Sequence, residues 1–69
     1  MNSIIQDIVV NFKSITKVNI EDMFDDEGMK PNMVLKTITP IRKWVKKHHK
    51  TELTDNMLYE LDSALFSAK

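Results

Sequence analysis

The stretch RKWVKKHHK, residues 42–50, crowds five Lys/Arg and two His around one Trp, in a chain whose formal net charge is zero. Cations at this density suit the neutralisation of phosphates or docking on carboxylates, and imidazoles can ligate a metal. The two His are adjacent, however, so on a helix they point about 100° apart and cannot share an ion as ligands four residues apart do. His48 is expected to cap an apolar stripe and His49 to be solvated, with no metal held by either.

A second charged stretch, DMFDDEGMK, sets acids ahead of a Gly as an EF-hand loop does. Aligning Gly28 with the glycine of such a loop places Met23 at the first ligand position and Val34 where the bidentate Glu belongs, so both essential ligands are missing. Catalysis would need a nucleophile with a base and an orienting partner, or two carboxylates in a cleft. The chain has no Cys, and its Ser residues fall at caps and exposed helix positions. A bundle of 69 residues also leaves little room for a ligand pocket of ordinary size. The expectation is a protein that is not an enzyme and carries no cofactor.

Charge layout is the stronger signal. Glu21, Asp22, Asp25, Asp26 and Glu27 form an acidic block; Arg42, Lys43, Lys46, Lys47 and Lys50, with Lys36 upstream, form a basic one. Exposed ion pairs contribute about 0–1 kcal/mol each, so pairing within one copy does not require such clustering. Long-range steering of a partner does benefit from it. The expected function is that of a small regulator or adaptor docking on a larger protein through one of these charged surfaces. Met29 and Met33 would add adaptable apolar contact nearby. Nucleic acid is the alternative partner for the basic face, and pairing of the blocks between copies in a homodimer is a further option.

The elements that must position these groups read as helices. The single Gly and two Pro leave few of the residues that tight hairpins demand. With 42% hydrophobic and 29% charged residues the chain lies on the folded side of the disorder boundary. Ser3 with Gln6 has the spacing of a capping box, opening a helix near Ile4 whose apolar face is Ile4, Ile5, Ile8, Val9, Phe12 and Ile15. Asn19 is a fitting N-cap for a short helix through Phe24 that Gly28 would end. Pro31 suits the first position of another short helix carrying Met33, Val34, Leu35 and Ile38, although VLKTIT also reads as a strand. Pro40 should break that helix and, behind Thr39 as N-cap, open the next. On that next helix Ile41, Trp44, Val45 and His48 gather on one side and the cations on the other, which assigns the Trp to the core. The last helix has Thr54 as N-cap, Leu53 and Leu58 in staple spacing, and a stripe of Leu58, Leu61 and Leu65.

The expected fold is all-α, a compact bundle of four to five short helices with no sheet, forming one small domain over residues 1–69. Gln6, Asp7 and Asn11 interrupt the N-terminal apolar run, which is therefore neither a signal peptide nor a membrane span of about 20 apolar residues. The lack of Cys fits the cytoplasm.

Within this frame IEDMFDDEGMKPNMVLKTI resembles a helix-turn-helix in outline: a helix, a Gly in the turn, and a second helix opening at Pro31. It departs from that family at Phe24, where a small residue is preferred, and at Glu27 and Thr37, where apolar ones are. A second registration makes TPIRKWVKKHH the helix that would enter the groove. The resemblance implies a DNA-binding transcriptional regulator using the basic face of residues 42–50. The short, cysteine-free, Lys-, Asn- and Ile-rich composition is similar to that of phage or mobile-element accessory proteins acting on a host machine.

Overall fold

A computed structural model describes residues 3–68. Helix α1 spans Ser3–Val10 and α2 spans Phe12–Thr16. A 3₁₀ turn follows over Ile20–Met23, then two short strands, β1 (Phe24–Asp25) and β2 (Gly28–Met29). Helices α3 (Pro31–His49) and α4 (Asp55–Ala68) complete the chain.

The expected first helix is divided at Asn11. Its side-chain amide donates to the Asp7 carbonyl oxygen at 2.8 Å, the same oxygen that accepts the Asn11 backbone N–H at 3.1 Å. An Asn that competes for backbone partners in this way loosens a helix locally. The apolar face nevertheless continues across the interruption, because Ile5, Ile8 and Phe12 are all buried. Thr16 ends α2: its buried hydroxyl donates to the Phe12 carbonyl at 2.8 Å and accepts the Val18 N–H at 3.2 Å, while Lys17 takes the left-handed conformation (φ 64°).

The expectation of no sheet is corrected by the antiparallel β1–β2 hairpin, in which Phe24 pairs with Met29 and Asp25 with Gly28. One glycine suffices for it. Gly28 sits at φ 120°, a region that side chains of L-residues rarely enter, so the residue expected to end a helix instead closes a turn. Asp25 Oδ1 accepts the Glu27 N–H at 2.8 Å and fixes the tip. The expected helix from Asn19 to Phe24 is correspondingly reduced to the single 3₁₀ turn. The segment that resembled a helix-turn-helix is thus a 3₁₀ turn, a hairpin and the first half of a long helix.

The largest departure is at Pro40. Rather than two short helices, one 19-residue helix runs through it, and the strand alternative for Val34–Thr39 falls with the break. Pro40 has no N–H to give the Lys36 carbonyl, and its ring disfavours the helical angles that Thr39 nevertheless keeps, a combined cost of about 3 kcal/mol. Packing offsets it. Thr37, before the proline, and Ile41 and Val45, after it, are all at or below 3% exposure. Spaced four apart, they form one stripe only if the helix is unbroken. Thr37 satisfies its buried hydroxyl on the Met33 carbonyl at 2.9 Å.

Helix α4 starts as expected, with Thr54 Oγ1 accepting the Met57 N–H at 3.2 Å. Its buried positions are Leu61, Ala64 and Leu65; Leu58 is half-buried, and Met57 rather than Leu58 packs against the core. α1 lies against α4 and α3, and α2 against α3. The shared core of Ile5, Ile8, Phe12, Val18, Met23, Ile41, Val45, Leu61, Ala64 and Leu65 has no buried side-chain polar atom without a partner among the described residues. The radius of gyration is 11.0 Å.

If packing keeps α3 continuous through its proline, Pro40→Ala should restore the missing hydrogen bond within a helix already in place. The expected gain is about 2–2.5 kcal/mol after subtracting the smaller entropy of an unfolded chain containing Pro. Urea denaturation of the two proteins, read by far-UV circular dichroism, measures it.

Candidate interaction surface

Helix α3 sets the geometry of the charged groups. Counting 1.5 Å per residue, it is about 28 Å long. The hairpin that carries Asp25, Asp26 and Glu27 immediately precedes its N-terminus, and Arg42, Lys43, Lys46, Lys47 and Lys50 occupy its C-terminal half and cap. The nearest of these cations, Arg42, is about 18 Å along the axis from Lys30. That is roughly twice the screening length at physiological salt.

All five cations are exposed, and the one ion pair among the described residues involves none of them. At 100° per residue they cover an arc of about 140° on α3, opposite Ile41, Trp44 and Val45. The structure divides them further. After the left-handed Lys50 (φ 56°) the chain turns back, and Thr51, Glu52 and Leu53 form a wall beside α3. Arg42, Lys43 and Lys46 line the concavity between this wall and the helix, a cleft of about 380 Å³ with half-buried Leu53 at its apolar side. Lys47 and Lys50 lie outside it.

The acidic block is likewise divided. Asp25, Asp26 and Glu27 are exposed at the hairpin, whereas Glu21 and Asp22 belong to the preceding 3₁₀ turn. Asp22 Oδ2 accepts from Asn19 Nδ2 at 3.4 Å, and Glu21 borders a different concavity that includes Lys13.

The two His exchange the roles expected of them. His49 Nε2 and Asp7 Oδ2 are 2.8 Å apart, joining the end of α3 to α1, while His48 is exposed. His48 stacks on Trp44 with ring centroids 4.5 Å apart, and His49 lies 5.6 Å from the same indole. Trp44 is half-buried and packs against the core. Helix rotation explains the exchange: position 49 turns toward α1, whereas position 48, on the core side of the wheel, is at the very end of α3 where little protein remains to cover it. Among the described residues no three His, Asp or Glu side chains converge in a way that could hold a metal ion.

One acid is perturbed. Asp62 on α4 is exposed as a residue, yet partial desolvation raises its carboxyl above the ordinary value of 3.8. The wall at residues 51–53 and the Asp7–His49 contact were the site features that sequence reasoning missed. No local pattern reports a contact between residues 42 apart.

A scan against protein-family models finds no match, and neither a search of curated proteins nor one of solved structures returns any. No described helix is long and apolar enough to cross a membrane.

The Asp7–His49 contact should register in a double-mutant cycle. Asp7→Asn and His49→Ala, measured singly and together by chemical denaturation, are expected to give a coupling of about 0.5–1.5 kcal/mol. For Asp62 the sign is set by its raised carboxyl: the folded state holds the proton more tightly, so this group's contribution to stability is present at low pH and is lost as pH rises through the folded value. Asp62→Asn should therefore gain stability relative to the parent as pH climbs above 3.8 and show no gain below it. Urea midpoints across an acid-to-neutral pH series test this.

Proposed function

We propose that the chain is a small non-enzymatic regulator or adaptor, acting in the cytoplasm, that docks on a larger protein through the basic face of α3. The observation that carries this reading is that Arg42, Lys43, Lys46, Lys47 and Lys50 stay exposed and without an ion pair among the described residues, although the chain holds as many acids as Lys and Arg. Three of them rim a cleft with an apolar side at Leu53. Such a cleft offers carboxylates a charged rim and an apolar side chain a place to insert, the two components that give steering and affinity respectively. Phage or mobile-element origin, with a host machine as the partner, belongs to the same proposal and rests on composition.

Lys47 and Lys50 lie beyond the cleft and extend the cationic row along α3, which favours a second reading as a nucleic-acid-binding regulator. The two readings diverge in solution. On the first, capture from the native host recovers one stoichiometric protein, and Arg42→Glu/Lys46→Glu abolishes its recovery while leaving the fold intact. On the second, the parent retards random duplex DNA with affinity falling steeply between low and moderate salt, as release of condensed counterions requires. Absence of retardation at low salt together with charge-dependent capture selects the protein partner.

A further inference from the structure

We propose that the basic cleft receives the acidic hairpin tip of a second copy of this chain, so that two copies associate through complementary poles. Each surface is present and unengaged. The cleft presents Arg42, Lys43 and Lys46 on α3, facing Thr51, Glu52 and Leu53, and keeps an excess of two positive charges. The hairpin presents Asp25, Asp26 and Glu27, all exposed and in no ion pair among the described residues.

The two surfaces are complementary in charge: three cations on α3, with the single carboxylate of Glu52 on the facing wall, stand against three carboxylates at the tip. Arg42, Lys43 and Lys46 fall within about one helical turn, where side chains three and four apart stand about 5–6 Å from one another. Consecutive Cα atoms at the hairpin tip are about 3.8 Å apart, so three carboxylates fit the span of three cations. The tip is held in shape before contact: Asp25 Oδ1 accepts the Glu27 N–H at 2.8 Å, leaving Oδ2 free, and Gly28 fixes the turn at φ 120°. A preformed tip loses little entropy on docking.

One copy cannot satisfy itself. The helix start that follows the hairpin is about 18 Å along the axis from Arg42, and no hairpin residue lines the cleft or pairs with its cations among the described residues. With zero formal net charge, no overall repulsion opposes a second copy. Two copies lying antiparallel bring each pole opposite its complement and make the contact twice, as a closed two-fold pair requires. The self-contact goes beyond docking on a larger protein, and it occupies the same cleft. It therefore masks the basic face until a competing partner displaces the hairpin.

The test uses the purified full chain, so its outcome is independent of capture from the host. Light scattering should report a mass above the 8.1 kDa of one copy at about 10 mM ionic strength, where the screening length is about 30 Å, and return to it at about 1 M, where that length is about 3 Å. Arg42→Glu/Lys43→Glu/Lys46→Glu and Asp25→Lys/Asp26→Lys/Glu27→Lys should each remain single copies at low salt. Mixed in equal amounts they should associate, since each then offers the complement of the other. Far-UV circular dichroism checks that each variant is folded; if a triple variant is not, Lys46→Glu and Asp26→Lys replace the pair. The proposal is overturned if the parent keeps the mass of one copy at low salt up to millimolar concentration, or if its association ignores salt. It is equally overturned if the folded variants do not associate when mixed. Binding of random duplex DNA to an unassociated parent, lost in the cleft variant, would assign the cleft to phosphates instead.

Discussion

Everything that the surface of this protein displays depends on one helix staying continuous through a proline. Thr37, Ile41 and Val45 share a single buried stripe only while α3 is unbroken, and that stripe is what α3 contributes to the core it shares with α1 and α2. Burying a side chain the size of Ile or Val contributes roughly 1.5–3 kcal/mol, so Ile41 and Val45 together match or exceed the cost of Pro40 in mid-helix. A break at Pro40 would let the two halves of α3 swing relative to each other. The acidic hairpin and the basic face would then no longer be held at a fixed separation. Packing of a few apolar side chains thereby decides an electrostatic property.

A simpler explanation of the charge layout is the dipole of α3, which favours acids near its N-terminus and cations near its C-terminus by about 0.3–1 kcal/mol each. It accounts for part of the pattern. Lys46, Lys47 and Lys50 lie in or beside the last turn and are stabilised in this way. Arg42 and Lys43 lie further back, outside the reach of an effect confined to the terminal turn. The three cleft cations are therefore not explained as a set by the helix dipole.

Much of the architecture was legible because it is written locally. The N-cap at Thr54, the opening of α3 at Pro31 and the apolar face Ile5, Ile8 and Phe12 follow from residues within one or two turns of each other. The misreadings share a cause as well. Gly28 and Pro40 are ambiguous punctuation whose meaning is fixed by distant packing: Gly28 closes a hairpin because Phe24 and Met29 pair across it, and Pro40 is tolerated because its neighbours belong to the core. His48 and His49 were exchanged because a helical wheel has no ends, whereas α3 stops at His49. The basic face was legible as five Lys/Arg residues at helical spacing. Its division by the returning wall at Thr51–Leu53 was not, since that depends on the left-handed turn at Lys50.

Magnitudes show why the two charged poles have little effect on each other within one molecule. Two unit charges about 18 Å apart in water interact by about 0.2 kcal/mol before screening, and physiological salt reduces this by roughly a further factor of ten. The same charges brought to about 4 Å across an interface are worth about 1 kcal/mol each in bulk water, and more where a cleft excludes solvent. Folding therefore neither gains from nor is opposed by the separation that α3 imposes. At the cleft the field of three cations in one helical turn is offset in part by Glu52 on the facing wall and still sums to a positive surface, held in shape by the core beneath α3.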